Sequence, residues 1–203
     1  MIRASSYRIF ALCAVASLVT SCGGNTTSPA RITNYEAPGN LESRRDIGCA
    51  GLGSIRNTYS PADLYRGIPK CVEQRDFEAG IFLFALAGVY GRYDSLRVAD
   101  RSAHQAVTVL RMKYVDELPE GDKKALFERL RAIADNPGRL SNLCARIREV
   151  GTPNYYPRYM VQHGMGAFLG NPTKDGLVAE FDSLTAWEKA LDSYLHCPTQ
   201  APR

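Results

Sequence analysis

Thr185-Ala186-Trp187-Glu188-Lys189-Ala190-Leu191-Asp192-Ser193-Tyr194-Leu195 places Trp187, Ala190, Leu191, Tyr194 and Leu195 three and four residues apart. That spacing gathers apolar side chains on one face of an α-helix, whereas a half-buried strand would repeat every second residue. Thr185 and Glu188 have the spacing of a capping box, which predicts the helix start there. The same helical period recurs upstream, and no segment sustains a two-residue alternation. The chain therefore reads as all-α, a compact domain of about six helices.

Moving toward the N-terminus, Leu140, Leu143, Cys144 and Ile147 line a helix that follows the turn Asn136-Pro137-Gly138 and stops at Gly151. Residues 122–135 form another, with Leu126, Phe127, Leu130 and Ile133 as its stripe. Pro119 and Gly121 separate it from a helix expected over residues 95–115. Asp76 caps a helix expected to run to Tyr90, with Phe77, Ile81, Phe84, Ala85 and Gly88 at helical spacing and Gly91 as its stop. Ser60-Pro61-Ala62-Asp63 is a further start: a serine cap, proline at the first position and a carboxylate at the third. Gly67 and Pro69 predict that this helix is short or kinked. Residues 60–93 faintly resemble one tetratricopeptide or Sel1 repeat at Gly67, Ala79 and Leu83. Asp63, Arg66 and Lys70 depart from that pattern, and no second copy follows.

The first 22 residues carry a targeting argument. Arg3 and Arg8 form a positive head, and Ile9 to Val19 is apolar except for Ser17. About a dozen apolar residues are too few to span a bilayer, which takes roughly twenty, but they suit a secretory signal peptide. Val19-Thr20-Ser21-Cys22 resembles the lipobox of bacterial lipoproteins. The resemblance implies removal of residues 1–21 and acylation of Cys22, palmitate included, which holds the protein at a membrane facing the periplasm. Gly23 in place of an aspartate favours the outer over the inner membrane in that family. Several acyl chains at one residue give stable anchoring where one would not. Residues 22–46 are polar, rich in Gly, Pro and Asn, and aperiodic; they are expected to be the lipidated cysteine and a flexible tether. The α-helical domain is then expected over 47–203.

Removing residues 1–21 takes two arginines from 25 Lys and Arg, leaving 23 against 21 Asp and Glu, a net of +2. That balance lacks the basic footprint of a nucleic-acid binder. Cys49, Cys71, Cys144 and Cys197 remain, an even number that in an exported chain suggests disulfides. Of the three possible pairings, Cys49 with Cys71 and Cys144 with Cys197 is favoured, because each would staple a less regular segment to a helix. Four reduced thiols are the alternative. No CxxC pair occurs, and His104, His163 and His196 stand apart, so neither a metal nor a cofactor is expected.

The least regular stretch is Asn154-Tyr155-Tyr156-Pro157-Arg158-Tyr159-Met160-Val161-Gln162-His163-Gly164-Met165-Gly166-Ala167-Phe168. Tyr155, Tyr156, Arg158, Tyr159, His163 and Met165 are the candidate binding residues, since aromatics, arginine and adaptable methionine are what recognition surfaces use. The alternative is that they fill a core, each tyrosine hydroxyl finding a partner. The same stretch resembles proteobacterial lipoproteins that carry no assigned activity. His163 is the one candidate base for a hydrolase or glycan-acting enzyme, but no nucleophile elbow, HExxH pair or obvious cysteine partner accompanies it. Arg44-Arg45 and the pairs Glu117/Glu120 and Glu180/Asp182 read as solvated surface and helix ends. The expected function is a non-enzymatic module that binds a periplasmic protein, of the immunity or envelope-assembly kind.

Overall fold

The computed structural model describes residues 37–170 and 175–198, with Leu52 described by its backbone alone. The expected signal segment, Cys22 and the tether as far as residue 36 lie outside the described residues. The elements in order are α1 (Pro61–Glu73), α2 (Phe77–Arg97), a 3-10 turn (Arg101–Gln105), α3 (Ala106–Arg111), a π turn (Met112–Asp116), α4 (Glu120–Ala134), α5 (Pro137–Val150), the short α6 (Arg158–Val161) and α7 (Met165–Phe168), and α8 (Ser183–Leu195). No strand occurs among the described residues; Val98 and Leu177 share one isolated bridge. The all-α expectation holds.

Sixteen of the 21 residues of α2 are buried. A helix apolar on every side needs neighbours on every side, and α2 has them. Cys71 faces Gly80, Gly67 faces Leu83 and Tyr65 meets Phe84 edge-on, so α1 packs against α2 as an antiparallel hairpin. α4 contributes Leu126 beside Gly80 and Phe127 against Phe84. α5 lays Arg146 over the Phe82 ring, and α8 brings Trp187 against Tyr90 and Tyr93. Two glycines set how closely neighbours approach. A Cβ on Gly88 would sit 1.9 Å from the Tyr194 ring, and one on Gly91 would sit 2.6 Å from Val107.

Gly91 thus does not stop α2, as its sequence suggested; it admits Val107, and the helix continues to Arg97. The helix expected over 95–115 is divided. Residues 95–97 complete α2, after which Ala99 N–H donates to Gly176 O and Val178 N–H to Arg97 O, pulling the chain into extended form. Asp100 then caps the 3-10 turn by accepting from Ser102 N–H. α1 is longer than expected, running 13 residues through Pro69, because its buried face (Leu64, Tyr65, Ile68, Cys71, Val72) outweighs the lost backbone bond. The cap of α8 is Asp182 instead of Thr185, and Glu188 turns to Arg148 at 2.7 Å.

Cys49–Cys71 and Cys144–Cys197 are bonded, the favoured pairing. Loops of 22 and 53 residues correspond to about 3 to 4 kcal/mol each in the chain-entropy view. Residues 37–46, expected as the end of the tether, are instead held to the helices. Leu41 N–H donates to Tyr159 O (3.1 Å), Asn40 meets His163, and residues 43–45 bond to Asp63. An aperiodic polar segment packs here through hydrogen bonds, which leave no periodic mark in sequence. The packed chain therefore begins by Ala37, not near Ile47.

Candidate functional site

Two carboxylates are buried among the described residues, Asp63 and Asp94. Burying such groups is costly unless every lone pair finds a donor. Asp63 completes the capping box of α1, its Oδ2 accepting from Ser60 N–H and Oγ–H (2.9 Å each). Its Oδ1 accepts from Ser43 Oγ–H (3.0 Å), Arg44 N–H (2.8 Å) and Arg45 N–H (2.9 Å). One side chain thereby starts a helix and fixes the backbone of the segment that crosses it.

Asp94, near the end of α2, is fully buried and partnered by side chains. Tyr155 and Tyr159 each donate a hydroxyl to Oδ2 at 2.9 Å. Arg97, one turn on, donates from Nε to Oδ1 (2.9 Å) and brings Nη2 to 2.7 Å of the same oxygen. The guanidinium also lies over the Tyr93 and Tyr155 rings, 5.1 Å from each centroid. Burial pushes the Asp94 carboxyl up while Arg97 and the two hydroxyls pull it back. Burial lowers Arg97, but Asp94 together with Tyr155 and Tyr93 outweighs it and the guanidinium ends above its ordinary value. Burial and the neighbouring carboxylate raise both phenols, so Tyr155 and Tyr159 stay neutral donors at neutral pH.

Beside these two supports lies a cleft of about 410 Å³. Arg44, Arg45, Arg158, Glu42, Asn154 and Tyr156 line it, with Asp63, Tyr155 and Tyr159 toward its floor. Arg45 donates to Thr58 O (2.6 Å) and stacks 5.6 Å from the Tyr59 ring centre. Arg158 donates to Pro38 O (3.2 Å) and lies along Gly39, whose φ of +96° and lack of a side chain make room for it. Tyr156 is half exposed and donates its hydroxyl to Asp175 O (2.5 Å).

Of the six binding candidates, four line this cleft: Tyr155, Tyr156, Arg158 and Tyr159. Tyr155 and Tyr159 give their hydroxyls to Asp94. His163 lies outside it, half buried, with Nδ1 donating to Asn40 Oδ1 at 2.9 Å. Burial lowers its pKa, so the ring is neutral at pH 7. The side chain it meets is the Asn40 amide, not the carboxylate that orients a catalytic base. Met165 is exposed on α7, which Asp100 and Ser102 anchor by accepting from Gly166 N–H (2.8 Å) and Met165 N–H (2.9 Å).

Sequence reasoning missed Arg44 and Arg45, read as plain surface, and Asp94, which lay beyond the expected end of α2. The available signal was Asp94 one turn before Arg97 in continuation of an apolar helix. No group of three or more potential metal ligands converges among the described residues, and no described helix is long and apolar enough to cross a membrane. The chain matches no family model, no curated protein and no solved structure.

Proposed function

We propose that this protein is an exported lipoprotein, cleaved before Cys22, anchored by acyl chains in the outer membrane and facing the periplasm. There its helical domain acts as a non-enzymatic module that binds a protein partner, as an immunity-type protein or an envelope-assembly accessory. The targeting half rests on the Arg3/Arg8 head, the apolar run and Val19-Thr20-Ser21-Cys22. The two disulfides agree with an oxidising compartment.

The binding half rests on one observation: a cleft built on a buried polar floor, with Tyr156 and three arginines at its walls. Aromatic and arginine side chains dominate the energy of protein interfaces. Because Asp63 and Asp94 fix the walls, little conformational freedom is lost when a partner enters.

Two experiments test this. Mass spectrometry of the purified mature protein should find an acylated Cys22 at its N-terminus, and an unmodified N-terminal peptide would end the lipoprotein reading. For binding, the oxidised mature chain carrying Cys22→Ser is used to capture partners from a detergent extract of its own envelope. A stoichiometric protein partner, lost with Tyr156→Ala while the far-ultraviolet spectrum is unchanged, supports the module. A folded domain that retains no partner removes that reading.

A further inference from the structure

Elsewhere among the described residues some cations lie against carboxylates, as in Arg66–Asp46 (3.1 Å), Arg75–Asp122 (2.6 Å) and Arg148–Glu188 (2.7 Å), and others, such as Arg56, Arg92 and Arg139, stand singly without an ion pair. The cleft gathers three unpaired arginines in one place. Among the described residues, none of Arg44, Arg45 and Arg158 forms an ion pair. Arg45 and Arg158 each donate to one backbone carbonyl, which leaves most of their five N–H donors for something else. The acid deepest in the cleft, Asp63, has both oxygens engaged by five donors and sits at the N-terminus of α1, where the helix dipole favours a negative group. Among the described residues that line the cleft, only Glu42, exposed at the wall, opposes the arginines.

From this arrangement, and resting on the binding-module reading above, we infer that the cleft takes an acidic segment of the partner protein: an extended stretch presenting aspartate, glutamate or C-terminal carboxylates. Guanidinium forks match carboxylates in pairs of parallel hydrogen bonds. The Arg44 and Arg45 backbones are already fixed by Asp63, and Arg158 is held by Pro38 and Gly39, so the receptor side is set before the ligand arrives. A volume of about 410 Å³ admits several side chains and not a folded domain. The exposed Tyr156 ring offers the apolar wall that an extended peptide, unlike a bare anion, would use.

Fluorescence anisotropy with labelled hexaglutamate on the oxidised mature chain (Cys22→Ser) tests the inference. Saturable binding at low salt is expected, absent for hexalysine and lost near 1 M salt, where the screening length falls to about 3 Å. Arg44→Glu should weaken it by about tenfold or more, whereas Glu42→Gln should tighten it. Free glutamate and inorganic phosphate should compete far less well than unlabelled hexaglutamate; equal competition would make the cleft a simple anion site and overturn the peptide inference. Hexaglutamate that fails to bind, or binds the wild type and Arg44→Glu alike, overturns it too. If the envelope partner is still captured, salt-insensitive and lost with Tyr156→Ala, the module stands while the acidic-segment inference falls.

Discussion

Asp63 and Asp94 occupy the same kind of place, a buried position on a helix beside one cleft, yet they are satisfied in opposite ways. Asp63 is surrounded by three backbone amides and by the hydroxyls of Ser60 and Ser43. Asp94 depends on three side chains, two of them more than 60 residues distant, one of them charged. The first arrangement is built largely from main chain and ties the single segment 43–45 to the start of α1, so its loss should loosen that segment. The second is a side-chain network in which each member needs the others, so its loss should be felt throughout the core. The difference separates a residue that shapes the cleft wall from one that supports the domain under it.

The comparison is sharpest in Asp94→Ala, which strands the Arg97 guanidinium in the interior. A loss of about 3 to 5 kcal/mol is expected, a large share of the roughly 5 to 15 kcal/mol typical of a domain. Urea unfolding of the oxidised protein measures it. Asp63→Ala should cost about 1 to 2 kcal/mol, the value of a lost cap with its amides rehydrated. Its signature is local: hydrogen exchange at the Arg44 and Arg45 amides should accelerate while α2 stays protected. A variant of Asp63 as destabilised as that of Asp94 breaks the distinction.

Tyr159→Phe should cost about 1 kcal/mol. Combined with Tyr155→Phe it should depart from additivity, because both hydroxyls serve one oxygen. A smaller effect concerns His163, whose folded pKa lies below its ordinary value of 6.5 because of burial. The unfolded chain then takes up the proton first. Stability contributed by the neutral ring is complete above about pH 6.5 and is lost as pH falls toward the depressed folded value. His163→Gln should flatten that part of the stability profile; an unchanged slope would show that His163 titrates alike folded and unfolded.

How much of this was legible beforehand follows the same division. The caps at Ser60 and Asp76, the turn at Asn136-Pro137-Gly138 and the stripes of α4, α5 and α8 are local, so spacing alone locates them. Gly91 misled because close approach and chain reversal use the same residue, and only the neighbouring Val107 distinguishes them. Residues 37–46 misled because hydrogen bonds to Asp63 and Tyr159 confer order without apolar periodicity. Tyr155, Tyr156, Arg158 and Tyr159 stood out by composition, but which of them face inward depended on Asp94, some 60 residues away. Arg44 and Arg45 carried no signal at all, since an arginine pair looks the same on a cleft wall as on open surface.

The glycine at position 88 has one more consequence, for the order of events as the chain emerges. Its bare face on α2 is a seat for Tyr194, more than a hundred residues later. A chain delivered N-terminus first therefore leaves that side of α2 uncovered until Tyr194, more than a hundred residues on, has arrived. Cys49 can meet Cys71 early, while Cys144 waits for Cys197. Closure of the core and completion of the second cross-link thus become late, near-simultaneous events. Both depend on α8 and the residues just after it, so a truncation before Tyr194 removes the piece that closes the core and the second disulfide together.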